Sequence, residues 1–317
     1  MAEVVDSLGL RSPQTVEVKS EADLQRWFAG PHRSGVLKSD GSFGGKGVRI
    51  VHSFADATKA LVHLKRPTNV VGAALRWLAL RDPLSFEGLS ARVPVVMQEL
   101  ILGQPANVLF LCEAGKVLAS VTVEVLATEG VTGAALAVRV IQNDEIRHAA
   151  EKIAERLHLS GFHGLDFILE AGTGHAYLIE MNPRCTQLGH LVLEGQGDLA
   201  GYLDGGEAPA VSEVGEGISR QIVVFYPQAL WSLRHPLPGE EVYVDAPWGE
   251  VRLMRELIKR DWRERHWIGW VYYRLRPQKR TAVTWRSESR DARRDGTVEP
   301  APSPEGTRLD LRAEPSE

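Results

Sequence analysis

Cysteine is nearly missing from this sequence. Cys112 and Cys185 are its only two, which excludes a disulfide framework and a cysteine-based metal site, so a reducing cytoplasm is the expected setting. Long apolar runs are missing too: nothing approaches the roughly 18 residues of a membrane span. The start, MAEVVDSLGL, lacks the basic flank and apolar core of a signal peptide. Basic charge is not in excess. The 37 Lys and Arg stand against 41 Asp and Glu, and a net charge of −4 gives no general attraction to nucleic acid or to an anionic membrane. No internal repeat is visible. What is there is an ordinary globular composition, 44% apolar and 25% charged, in 317 residues that hold one large domain or two smaller ones.

The most informative stretch is Gly161 to Arg184, GFHGLDFILEAGTGHAYLIEMNPR. It reads as a hairpin of two strands, Leu165–Leu169 and Ala176–Glu180, with Gly172 and Gly174 supplying the turn. Asp166, Glu180 and Asn182 interrupt otherwise apolar runs, and an unpaired buried carboxylate is costly. With the turn centred on Thr173, Glu170 faces Ala176, Ile168 faces Leu178 and Asp166 faces Glu180. Directly opposed side chains lie about 4.5–5.5 Å apart at Cβ, so the two acids repel unless a positive group sits between them. Asn182, two residues beyond Glu180, points the same way. Three oxygen donors on one face suit Mg²⁺ or Mn²⁺, with nucleotide phosphates and water filling the rest of the shell. A solvated sheet face carrying ordinary acids satisfies the same pattern.

Earlier in the chain, Val36-Leu37-Lys38 reads as a strand, Ser39 to Gly47 as a glycine-dense loop and Val48–Val51 as the return strand. Successive backbone N–H groups in such a loop cradle anions. It is neither a Walker A loop nor a GxGxxG turn, and a glycine hairpin without a ligand is the alternative; Lys38 beside the loop favours phosphate. Residues 1–19 read as extended, with a short strand after Pro13. Helices are expected from Ser20 and Asp23 to Gly30, from Ser53 to about Lys65, over Val70–Arg81, and from Asn143 or Asp144 until Gly161 stops the last. Val93–Met97 leads as a strand into Gln98-Glu99-Leu100. Asn107–Cys112 and Val117–Leu126 form a hairpin, and Ala134–Ile141 another strand. CTQLGHLVLEGQGDLAGYLDG reads as partly helical, and 205–218 as a connector. Ile222–Tyr226 is a strand, and a helix lies near Val251–Arg263. Five of the eight tryptophans fall between Trp231 and Trp270, which reads as a small aromatic core, with an interaction face as the alternative.

In this order, VLKSDGSFGGKGVRIV, VVMQELILG and LDFIL…YLIEMNPR resemble the ATP-grasp superfamily over roughly residues 8–200. The resemblance implies an α+β fold, with two α+β lobes whose antiparallel sheets clamp ATP: residues 1–205, a small lobe over about 20–97 and a large lobe over about 98–205. A partly structured extension over 206–278 and a disordered tail over 279–317 follow. By the same resemblance Lys38 contacts the phosphates, and Ser42, Phe43, Gly44 and Gly45 belong to the loop that closes over them. Gln98, Glu99 and Leu100 hold the adenine. Asp166, Glu180 and Asn182 hold the metal, and Arg184 faces the transferring phosphate or a substrate carboxylate. The implied chemistry is carboxylate–amine or carboxylate–thiol ligation through an acylphosphate, with Mg-ATP and small carboxylate and amine substrates.

The sequence departs from the family pattern in two respects. Some 35 residues precede Lys38, where relatives carry a substrate-binding lobe; the expectation is that this lobe is truncated or supplied by a second copy or a partner subunit. Near residue 105, where relatives often hold the ribose with a glutamate, stands Pro105; Asn107 either substitutes or is a sheet-edge residue. An ATP-binding module without complete catalysis is therefore the alternative to a ligase, and a structural protein with a decayed site is a third reading. Arg139 and Glu124 are expected to pair rather than reach phosphate. His163 and His190 read as structural, His190 being the better candidate for a substrate contact, and Cys185 as a packing residue.

Overall fold

The computed structural model describes residues 2–31, 34–39, 45, 47–65, 94–191, 199, 202, 222–229, 242–258 and 283–285. In chain order the elements are α1 (Ala2–Ser7), β1 (Thr15–Glu17), α2 (Glu21–Ala29), β2 (Gly35–Ser39), β3 (Val48–Val51), α3 (Phe54–Leu64), β4 (Val95–Gln98), β5 (Gly103–Glu113), β6 (Lys116–Glu129), β7 (Ala135–Val140), α4 (Asp144–Leu157), β8 (Gly161–Glu170), β9 (Ala176–Asn182), β10 (Ile222–Phe225), β11 (Val242–Asp245), α5 (Val251–Ile258) and β12 (Val283–Trp285).

The small lobe is an antiparallel sheet in the order β1-β4-β2-β3. Its helices begin where short polar side chains satisfy free backbone N–H groups. The Asp23 carboxylate accepts from Ser20 N at 2.8 Å and Lys19 N at 2.9 Å, and Ser53 Oγ accepts from Asp56 N at 3.1 Å. Leu24 and Trp27 of α2 and Ala57 and Leu61 of α3 then bury against Leu37, Val51 and Met97.

The large lobe is an eight-stranded sheet, ordered β11-β10-β7-β6-β5-β8-β9 with β12 on β6; its pairs are antiparallel except β10 with β11. Helix α4 covers one face. Its buried residues Ile146, Ala149, Ala150, Ile153 and Ala154 recur at helical spacing and pack with Val108, Phe110, Leu165 and Phe167. Gly103 lets β5 lie close on β8, since a Cβ there would sit 2.0 Å from the Leu169 carbonyl oxygen. The architecture is α+β with two antiparallel-rich lobes. No helix among the described residues is long and apolar enough to cross a membrane.

Several expectations are corrected. Residues 2–7 form a helix, because tertiary burial of Val5 beside α4 outweighs the weak local pattern. Helix α4 ends at His158, which takes the left-handed conformation with φ 48°; Gly161 instead opens β8. Strands β5 and β6 are longer than their apolar cores, because pairing on both sides extends through polar positions. Cys185 is exposed and Cys112 is the buried thiol. Trp248 is 65% exposed rather than part of a core, while Gln187–His190 is a turn and most of the stretch read as partly helical lies outside the described residues. The segment beyond 206 adds β10, β11 and β12 to the large-lobe sheet, with Val283–Trp285 lying in the stretch read as a tail. The helix over 70–81, the connector over 205–218 and the rest of the tail lie outside the described residues.

Candidate active site

The site grows from one rung of the large sheet. Asn107 on β5 pairs with Asp166 on β8, which pairs with Glu180 on β9, so three adjacent strands present three polar side chains in a row. The hairpin reaches this register through a bulge. Near the turn Leu169 faces Ala176, Ile168 faces Tyr177 and Phe167 faces Leu178, one residue off the expected Glu170–Ala176 and Ile168–Leu178 pairs. Ile179 then has no opposite residue, and that extra position restores the expected Asp166–Glu180 pair. Asn182 Nδ2 donates to Asp166 Oδ2 at 3.0 Å, and Asn107 Nδ2 donates to Asp166 Oδ1.

Burial pushes the Asp166 carboxyl above the ordinary carboxylate range and Glu180 adds to the rise, while the two amides and the Lys38 ammonium pull it down. Lys38 comes from the opposite lobe on β2. Its Nζ donates to the Ile179 carbonyl at 3.3 Å, so the bulged residue is the one that receives it. Burial lowers the Lys38 pKa, and Glu180 and Asp166 raise it.

Asp166, Glu180 and Asn182 are oxygen donors suited to a hard cation. No cluster of three or more His, Cys, Asp or Glu forms a metal group among the described residues. Two carboxylates and an amide leave most of a magnesium shell to phosphate and water, which is how magnesium is usually held. The residues present therefore fit the ion.

Between the lobes lies a cavity of about 510 Å³, within the range of small-molecule sites. Val36, Val48 and Ile50 line it from the small lobe and Val123, Val125 and Val138 from the large one, an apolar slot of the kind a flat heterocycle fills. Lys38, Asn107, Asp166, Glu180, Asn182 and Arg184 line its polar side, and Gln98, Glu99 and Leu100 line the crossing between lobes. Gln98 Nε2 donates to Thr15 Oγ1 at 3.3 Å, Glu99 N donates to Gln14 O at 2.8 Å and Glu99 Oε2 accepts from Gln14 N at 3.2 Å. Both side chains are engaged with the N-terminal segment.

Of the glycine loop, Ser42, Phe43 and Gly44 lie outside the described residues. Gly45 has φ +71°, and a Cβ there would lie 2.1 Å from the Thr132 carbonyl oxygen, so only glycine permits this contact with the β6–β7 turn. That turn lines the cavity through Val131, Thr132 and Gly133 and was missed from sequence, where VTGA carries no motif. Gln187 was missed as well; it lines the cavity and donates from Nε2 to Ala135 O at 3.3 Å.

Arg184 is exposed and donates to Cys185 O at 3.2 Å. Glu124 and Arg139 pair at 2.8 Å as expected; Glu124 stands opposite Ala106, whose side belongs to the α4-packed face, so the pair is turned from the cavity. His163 is buried, stacks on Phe110 and contacts Ser160 O at 3.2 Å. His190 contacts Asp245 Oδ2 at 2.7 Å.

A family model described as ATP-grasp domain matches residues 2–187, more than half of the chain. No curated protein matches. Among solved structures the chain is similar to an N5-carboxyaminoimidazole synthase from Aspergillus clavatus with ADP and aminoimidazole ribonucleotide (18% identity, 64% of this chain, 50% of that chain, TM-score 0.45). It is also similar to the biotin carboxylase domain of Hydrogenobacter thermophilus 2-oxoglutarate carboxylase (16% identity, 58% and 39%, TM-score 0.44). A third is the ligase PsnB with a precursor peptide (17% identity, 58% and 48%, TM-score 0.36). The chain thus spans 39–50% of the length of these solved chains.

Proposed function

The chain belongs to the ATP-grasp family, and from that premise we propose that it binds Mg-ATP and ligates a carboxylate to an amine or a thiol through an acylphosphate. The observation that supports this best is the Asn107–Asp166–Glu180 rung, with Asn182 beside it and Lys38 facing it from the other lobe. In this reading Asp166, Glu180 and Asn182 hold the magnesium, and Asn107 holds Asp166 in place. Bound magnesium would supply positive charge that offsets the charge of the phosphates. Lys38 draws the outer phosphates across the cavity, and Arg184 steadies the transferring phosphoryl group or the substrate carboxylate. A carboxylate oxygen bonds to the γ-phosphorus as the bond to the ADP oxygen breaks. The amine or thiol then bonds to the acyl carbon, phosphate leaves and a proton passes to solvent. No nucleophilic side chain is required. The apolar slot receives the adenine, with the glycine loop (Ser42, Phe43, Gly44, Gly45) and the Gln98–Leu100 segment around the nucleotide. We place the reaction in the cytoplasm, where Cys112 and Cys185 stay as thiols.

The assay is magnesium-dependent ADP release over panels of carboxylates paired with amines or thiols. Glu180→Gln is expected to lower turnover at least about 100-fold, the effect of losing several kcal/mol of charge stabilisation. Full activity in that variant would sink the metal assignment. The alternative reading is an ATP-binding module that completes its chemistry with a second copy or a partner subunit. Magnesium-dependent ATP binding with no ADP release on any pair, restored by a co-purifying subunit, would favour it.

A further inference from the structure

Strand β9 carries Glu180 and Asn182, yet among the described residues it is the last strand of its sheet, with β8 on one side. Its other edge is held by two groups from distant parts of the chain. Ala176 N donates to Glu145 Oε2 at 3.1 Å, and Leu178 N donates to the carbonyl of Arg11 at 2.9 Å. These are alternate residues, and alternate amides of a strand point to one side. The two holders are themselves joined, because the Arg11 guanidinium pairs with Glu145 Oε1. Glu145 stands in the first turn of α4, where the helix end favours a carboxylate. His175 Nδ1 lies 3.8 Å from the same Glu145 oxygen that takes Ala176. The Arg11 segment is anchored in turn by Lys152, whose Nζ donates to Leu8 O at 3.2 Å, and by Val5 buried beside α4.

The placement matters because the strand changes register just beyond these contacts. Ala176 and Leu178 follow the offset of the turn, Ile179 is the extra residue, and Glu180 is the first residue in the register that opposes Asp166. A strand free on that edge has other positions in which to take its extra residue, and a slip of one turns Glu180 to the opposite face. We infer that Arg11 and Glu145 are positioning residues for the metal-bearing strand: holding Ala176 and Leu178, they confine the bulge to Ile179 and set Glu180 opposite Asp166. This inference rests on the reading of Asp166 and Glu180 as magnesium ligands.

The test uses the full chain with Arg11→Ala, Glu145→Ala, the conservative Arg11→Lys, and Glu180→Gln. Amide hydrogen exchange reads the strand directly. Glu145→Ala removes the acceptor of Ala176 N, and Arg11→Ala keeps its carbonyl on Leu178 N but loses the pair that fixes Glu145. In both, the amides of residues 176–180 are expected to exchange about tenfold faster, the effect of one lost charge-assisted hydrogen bond, with β5 and β6 unchanged. Mn²⁺ titration by electron paramagnetic resonance, with a non-hydrolysable ATP analogue present, is expected to show about three- to tenfold weaker metal binding. Metal-free affinity for the analogue stays as in the wild type, and Arg11→Lys recovers most of both losses. Mn²⁺ affinity unchanged in the two alanine variants but lost in Glu180→Gln would overturn the positioning role and leave the metal site standing. Equal loss of metal-free analogue binding would overturn it too, by showing general damage. Wild-type Mn²⁺ affinity in Glu180→Gln would overturn the metal assignment itself, whatever the exchange rates show.

Discussion

Asp166 and Lys38 are each held against their ordinary ionisation, and the signs oppose one another. The folded pKa of Asp166 is raised, so the folded state holds its proton to higher pH than the unfolded chain does. Its contribution to stability is greatest below the ordinary value of 3.8 and declines as pH rises through the raised value. Lys38 is lowered, so its contribution improves as pH climbs from the lowered value towards 10.5. The unfolding free energy of wild type minus that of Asp166→Asn is therefore expected to fall as pH rises above the ordinary value of 3.8. Urea titrations of both proteins at several pH values check this, and a difference that rises with pH would contradict it. The pairing of Asp166 with Glu180, and Asn182 on their side, were legible in the sequence, because a tight turn and strand alternation constrain them. The hold of Asn107 on Asp166 was not: it depends on β5 lying beside β8, a contact between residues 59 apart with no local signal.

Elements were legible where their period was strong and their ends had chemistry. Helix α4 shows both, with apolar residues at helical spacing and Asn143 Oδ1 accepting from Ile146 N at 3.0 Å. Asn143→Ala removes that cap and is expected to cost about 1 kcal/mol. Thermal melts measure it, and no loss would mean that packing alone starts the helix. Its far end was misplaced because the sequence offers a glycine at 161, while the left-handed residue is His158. Helix α1 was unreadable because six residues make too little helix by themselves. The bulge in β9 was invisible for a related reason: Ile179 is an ordinary strand residue, and the contacts around it come from distant parts of the chain, from Lys38 at Ile179, Arg11 at Leu178 and Glu145 at Ala176.

At the scale of the molecule, two stretches among the described residues run between the lobes. The crossing at Gln98, Glu99 and Leu100 was legible through the family resemblance. The N-terminal stretch was not, although it starts beside α4, bonds to β9 through Arg11, meets Glu99 at Gln14 and ends as β1 on β4. The sheet itself closes late: β10 covers the edge of β7 only after the chain has continued from Val140 to Ile222. A chain ended at residue 205 lacks that cover and is expected to give less soluble protein than the full chain, read as the soluble fraction on expression; equal yields would contradict it. The same delay has a meaning in time. At about 5–20 residues per second of synthesis, the roughly 80 residues between β7 and β10 leave an apolar strand edge unpaired for some 4–16 s on every ribosome. During that interval the newborn large lobe is a target for chaperones and for its own neighbours on the same message.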